Sequence, residues 1–299
     1  MENTDLILQP KEPVNCEGVQ ANFIDEKYGS HNNNTFDIWL AESDKPTPLV
    51  IYIHGGGFVG GDKSKYYDSE DLVRFLKAGV SVATINYRFM TDAPFGIKAS
   101  LNDSKRCLQF IRYHSTKYNI DKQRIACSGG SAGAGTSLWL AFSDDMADPK
   151  NADPVLREST RLTCAGAFAT QSTYDIFQWK EIIGVPVAET PEQLKSIGIA
   201  LGVEKVNGME LSSEKEKRKE LDFLNKMEKN DSPIFVYNKH AAGIPATQDD
   251  LNHHPLHAKR IKEKADEVGL EAIVYAPEVG ITDPSGKDLV EFFLEKLFN

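Results

Sequence analysis

Apolar runs alternate with segments of helical period along most of the chain, which predicts an α/β fold on a mainly parallel sheet. Phe36–Leu40 reads as a strand, and Pro48–Ile53 (PLVIYI) as a short strand of fully buried type. A helix over Ser69–Ala78 carries Leu72, Val73, Phe75 and Leu76 as its apolar stripe, and Val80–Tyr87 (VSVATINY) is the next strand. Ala99–Tyr118 spaces Leu101, Cys107, Leu108, Ile111 and Tyr118 near the helical period. Arg124–Ser128 is a strand, Ser137–Phe142 a helix ended by Asp148-Pro149, and Leu162–Thr170 a further strand. Pro233–Asn238 (PIFVYN) and Glu271–Ala276 complete the strands, with helices over Pro255–Val268 and Ser285–Phe298.

Between Tyr174 and Asp231 the alternation lapses into a proline-punctuated loop and charged helices. No repeat and no low-complexity linker divides the chain. The expected organisation is therefore one domain over residues 1–299 with a small helical cap inserted over 176–230. Within it, Phe177, Trp179, Ile182 and Ile183 are equally suited to walling an apolar pocket and to packing on the core.

Composition narrows the function classes. Hydrophobic residues make up 40% of the 299 positions, enough to bury a sizeable core. The formal net charge of −10 argues against a nucleic-acid partner, which requires a clustered positive surface. Ser212–Lys229 mixes both signs and reads as a solvated helix. Cys16, Cys107, Cys127 and Cys164 lie far apart without CxxC spacing, so no zinc or redox motif is predicted, and no cofactor. The last three fall in apolar segments and read as buried thiols. Met1–Gly18 is polar without an apolar signal core, and no window reaches about 18 apolar residues. The expected protein is soluble with no membrane span, in the cytoplasm or as a mature secreted form. Its oligomeric state is left open.

The densest chemistry lies where Arg124–Ser128 runs into Gly129-Gly130-Ser131-Ala132-Gly133. A strand, a GxSxG turn and a helix together predict a nucleophile elbow with Ser131 exposed at its tip. Upstream, His54-Gly55-Gly56-Gly57 follows a buried strand, and consecutive glycines let a loop aim its amides inward. The expected oxyanion donors are the backbone amides of Gly56, Gly57 and Ala132. His54 is expected to brace the loop rather than act as a base.

The runs HGGGFVGGDK (His54–Lys63), Asn86-Tyr87-Arg88 and GGSAGAG (Gly129–Gly135) resemble the carboxylesterase and hormone-sensitive-lipase-like branch of the α/β-hydrolases, from about Phe36 to the C-terminus. That branch often has Asp before the serine, where Gly130 stands here. The resemblance implies the α/β-hydrolase fold, with helices on both faces of a twisted sheet, and cleavage of a small-molecule ester through an acyl intermediate on Ser131.

It also implies an acid after the seventh strand and a histidine after the eighth. Both stations are vacant: Lys239-His240-Ala241-Ala242-Gly243 offers no carboxylate, and Pro277-Glu278-Val279-Gly280 no histidine. His240, His253, His254 and His257 all lie between the two strands. A rearranged triad follows, with the base from the seventh-strand loop and the acid from the eighth. His254 is the first choice for the base and His253 the second, in a His253-His254-Pro255 run that resembles one in some bacterial members of the branch. Glu278 is the first choice for the acid, then Asp175, then Asp283, while Asp249 and Asp250 read as solvated loop charges. A protein that keeps the pocket only to bind a small ligand is the alternative.

Overall fold

In the computed structural model, which describes residues 11–92, 95–187, 190–203 and 214–299, β3 (Thr47–Ile53) shows the two-sided burial that organises the molecule. Leu49, Ile51 and Ile53 join one hydrophobic cluster, while Val50 and Tyr52 join another on the opposite face. Period-two side chains in a strand buried on both faces explain its continuous apolar run.

β3 lies within an eight-stranded sheet of order β1-β2-β4-β3-β5-β6-β7-β8. β1 (Phe23–Lys27) and β2 (Thr35–Trp39) are antiparallel to their neighbours. β4 (Ser81–Ile85), β5 (Ile120–Gly130), β6 (Ala165–Phe168), β7 (Ile234–Tyr237) and β8 (Ala272–Tyr275) run parallel with β3. On one face pack α1 (Glu70–Lys77), through Leu72, Val73 and Phe75, and the closing helix Leu289–Phe298. On the other pack α2 (Ile97–Tyr113), α3 (Ala132–Phe142) and the helix Leu256–Val268. This is the α/β-hydrolase architecture. The chain leaves β3 for β4 on one side and then crosses to β5 on the other, so the crevice above their C-terminal ends is a topological switch point.

The segment between β6 and β7 forms α4 (Trp179–Ile183), α5 (Pro191–Leu201) and α6 (Lys215–Leu221). α5 forms where the sequence pattern predicts a loop. Thr190 and Gln193 make a reciprocal capping box, Pro191 takes the first turn, and Ile197, Ala200 and Leu201 supply a buried stripe. α7 (Gln248–Asn252) is a further unpredicted turn of helix between β7 and α8 (Leu256–Val268), and α9 (Leu289–Phe298) ends the chain. The polar start over 1–10 and the 204–213 part of the expected cap and charged helix lie outside the described residues. Cys107, Cys127 and Cys164 are buried free thiols, and Cys16 is free and exposed.

Candidate active site

β5 passes into α3 through a single residue, Ser131, with φ 53° and ψ −119°. A residue with a Cβ holds positive φ only where its surroundings impose it. Here the Ser131 amide donates to the Phe168 carbonyl at 2.9 Å, and α3 presses against β3. A Cβ on Gly133 would stand 1.9 Å from the Ile53 carbonyl oxygen, so only glycine permits that approach. The Tyr66 hydroxyl ties the same two strands together, accepting from the Gly130 amide at 2.9 Å and donating to Ile53 O at 3.1 Å. Tyr174 Oη donates to the Ala132 carbonyl at 2.6 Å from the cap side.

The glycine loop leaves β3 beside this turn. Gly56 has φ 110°, and a Cβ there would lie 2.2 Å from Gly60 O. Its neighbour Gly57 has φ 60°. His54 is fully buried beneath them: its Nδ1 donates to Gly55 O at 2.7 Å and its ring stacks on Tyr87 at 4.2 Å. Tyr87 Oη in turn donates to His54 O at 2.7 Å. Burial pushes the His54 pKa down, which favours the neutral ring. Farther along, Asn86 Nδ2 donates to Asp62 at 2.8 Å, and Arg88 grips Asp103 through Nε and Nη2 at 2.9 and 2.6 Å. His54, Tyr87 and the Asp62–Asn86 pair thus brace the loop, while Arg88 is tied to α2 through Asp103. Among the described residues, none accepts a hydrogen bond from the amides of Gly56, Gly57 or Ala132.

The histidine beside the serine is His253, whose Nε2 lies 2.7 Å from Ser131 Oγ. His253 closes α7, its amide bonded to Asp249 O, and Asn238 Nδ2 holds its carbonyl at 3.0 Å. Burial lowers the His253 pKa, Asp249 counteracts this in part, and His240 depresses it further.

His254, the first choice from sequence, is not brought to Ser131. Its Nδ1 accepts from the Leu256 amide at 3.3 Å and its Nε2 donates to Gly243 O at 3.0 Å. Both ring nitrogens are committed to backbone, because adjacent residues leaving a helix point in different directions. His257 is equally committed. The Ser172 amide and hydroxyl approach its Nδ1 at 3.3 and 3.0 Å, and its Nε2 donates to Leu251 O at 3.3 Å.

The carboxylate next to His253 is Asp249, with Oδ1 3.0 Å from Nδ1. The approach is off the N–H axis, so it is a close charge contact rather than a well-aligned hydrogen bond. Asp249 is 72% exposed, as the sequence reading of a solvated charge expects, and its contact with His253 is what that reading left out. Glu278, the first choice for the acid, stands exposed on the turn Pro277–Val279 and pairs with no histidine among the described residues. It follows β8, the edge strand of the sheet, in a turn open to solvent. Asp175 is buried in a bidentate pair with Arg218 at 2.8 and 3.0 Å. Asp283 accepts from the Ser285 amide in its own turn. Asp249 and His253 stand four apart behind Thr247, whose reciprocal cap with Asp250 starts α7. The Thr247-x-x-Asp250 pattern is the signal that sequence reading passed over.

Ser131, Ala132 and Gly57 open onto a cavity of about 440 Å³ walled by Phe58, Ile97, Tyr174, Trp179, Ile197 and Leu251, among others. Of the four candidates from the cap, Trp179 lines it, and the α5 side chain Ile197 does so too.

A family model described as BD-FAE matches residues 36–250. The chain belongs to the BD-FAE family. Among curated relatives, it is 33% identical over 134 residues to an "Esterase" of Gibberella moniliformis, covering 44% of this chain and 41% of that one. It is 31% identical over 142 residues to "Esterase LipI" of Mycobacterium tuberculosis, covering 47% and 43%. The BD-FAE chain therefore spans less than half the length of these relatives. A solved "Truncated form of carbohydrate esterase from gut microbiota" shares the fold at a TM-score of 0.71 and 19% identity, over 93% of this chain and 96% of that one. Together with the fold, these likenesses place the chain among the α/β-hydrolases.

Proposed function

We propose that this BD-FAE member hydrolyses small carboxylic esters through an acyl intermediate on Ser131, with His253 as base and Asp249 as its orienting acid. The observation that carries the reading is the 2.7 Å approach of His253 Nε2 to Ser131 Oγ, within the reach a general base needs. Esterases among its relatives support the same class of reaction.

Ser131 Oγ attacks the ester carbonyl carbon while its proton passes to His253 Nε2. Negative charge then develops on the carbonyl oxygen, and the amides of Gly56, Gly57 and Ala132 are the donors for it. Collapse of this intermediate breaks the bond to the leaving alkoxide, which takes the proton from His253 and departs as an alcohol. A water then repeats the attack on the acyl-serine, giving its proton to His253, and the released Ser131 oxygen takes it back. Asp249 favours the tautomer with the proton on Nδ1 and steadies the imidazolium. The apolar walls of the cavity suit the acyl or alcohol part of the ester. A purely binding role drew its support from the vacant usual stations for acid and base, and loses it if Asp249 and His253 act in this way.

A fluorophosphonate probe tests the proposal. The wild-type protein is expected to label at Ser131 and to turn over p-nitrophenyl acetate, and folded Ser131→Ala to do neither. A wild-type chain that resists the probe, or undiminished turnover in Ser131→Ala, overturns it.

A further inference from the structure

His240, outside the proposed chemistry, stands over the base. Its ring lies 5.1 Å from that of His253 at 33°, and its amide donates to Asn238 Oδ1 at 2.9 Å on the segment leaving β7. His240, Asp249 and His253 each offer one ligand atom, and the three atoms lie within 4.8 Å of one another. Two imidazole nitrogens and one carboxylate oxygen are the donor set of zinc rather than of magnesium or calcium, which favour all-oxygen shells.

Zinc bonds of about 2.0–2.1 Å in a tetrahedron put ligand atoms roughly 3.4 Å apart. Asp249 Oδ1 and His253 Nδ1 are already 3.0 Å apart. With all three ligand atoms within 4.8 Å of one another, His240 has at most about 1.4 Å to close. Asp249 is largely exposed, so a cation reaches the group from solvent. Buried His253 Nδ1 has no aligned hydrogen-bond acceptor among the described residues, so a metal there displaces only the charge contact with Asp249.

We infer that His240, Asp249 and His253 form a binding site for a zinc-type divalent cation, and that its occupation switches the serine off. This inhibitory half rests on the proposed role of His253. A neutral imidazole carries one proton. Metal on Nδ1 moves that proton to Nε2, and Nε2–H cannot accept a proton from Ser131 Oγ. The same ion also takes the Asp249 carboxylate. Binding thus leaves the cavity and the glycine loop intact and removes the base.

The experiment is calorimetric titration of the full chain with ZnCl₂, alongside ester turnover with and without EDTA. One-to-one binding is expected, with an inhibition constant that matches the calorimetric Kd, reversal by EDTA, and no effect of MgCl₂. His240→Ala and His240→Gln are each expected to weaken zinc binding at least tenfold while zinc-free turnover stays within about twofold of wild type. Ser131→Ala is expected to bind zinc as wild type does, which separates the site from the chemistry. Absence of one-to-one binding, or binding unchanged in both His240 variants, overturns the site. Binding that depends on His240 but leaves turnover untouched upholds the site, overturns the switch, and counts against His253 as the base.

Discussion

Two adjacent imidazoles in one sequence run have opposite surroundings, and the difference is visible atom by atom. Both nitrogens of His254 are spent on backbone partners, whereas His253 offers Nε2 to Ser131 and faces Asp249 with Nδ1. His253→Ala is expected to lower kcat by about 10⁴-fold or more. His254→Ala is expected to cost about 1–2 kcal/mol of stability with a far smaller loss of kcat. Measuring kcat and urea midpoints for both variants checks this, and a larger kcat loss in His254→Ala would reverse the assignment. The acid limb of kcat/KM should fall below the ordinary histidine value of 6.5, because burial lowers the His253 pKa. The base works when neutral, so activity is lost as pH drops through that limb and is level from neutrality upward, in buffer containing EDTA. Asp249 raises that pKa, so Asp249→Asn is expected to move the limb lower still while the plateau falls by about 10–100-fold. That is less than the roughly 10⁴-fold seen when a buried orienting aspartate is amidated. A limb that stays put would remove Asp249 from its role.

Elements differed in legibility for physical reasons. β3, β4 and β5 announce themselves through buried apolar runs, and the elbow through the strand–GxSxG–helix order. β1 (FIDEK) is an edge strand with only half-buried and exposed positions, so no hydrophobic pattern marks it. α7 spans five residues, too short for a helical period to emerge. Without a visible helix there, the i, i+4 relation of Asp249 and His253 is not legible in the sequence. The glycine loop is both legible and demanding. At φ 110°, with Gly60 O 2.2 Å from any added Cβ, Gly56 has no room for a side chain. Gly56→Val is therefore expected to displace an oxyanion donor and lower kcat by about 10²–10³-fold. A defect confined to KM would show instead that the loop only shapes the cavity.

For the whole molecule, acid stability is tied to His257, which is fully buried where α8 meets α4, edge-on to Trp179 at 4.9 Å. Burial lowers its pKa from 6.5 to about 3. Between those values the unfolded chain binds a proton that the folded chain refuses. The contribution is complete above pH 6.5 and is lost as pH falls through that window, at up to about 1.4 kcal/mol per pH unit. Tm is expected to drop from pH 7 to pH 4.5 in wild type. In His257→Gln, whose amide does not titrate, Tm starts lower and falls less steeply. Parallel Tm–pH curves for the two proteins would rule out this linkage.

Placing Asp249 and His253 one turn apart on α7 has a consequence for engineering. Their spacing is set by helix pitch, about 5.4 Å per turn, and not by where two separate loops happen to end. In the proposed arrangement the residues after β8, from Ala276 to Asp288, carry no chemical duty. The exposed turn of that stretch at Pro284–Gly286 is the place to lengthen the chain, graft an affinity tag or fuse a carbohydrate-binding module, since an insertion there leaves acid and base in register with each other.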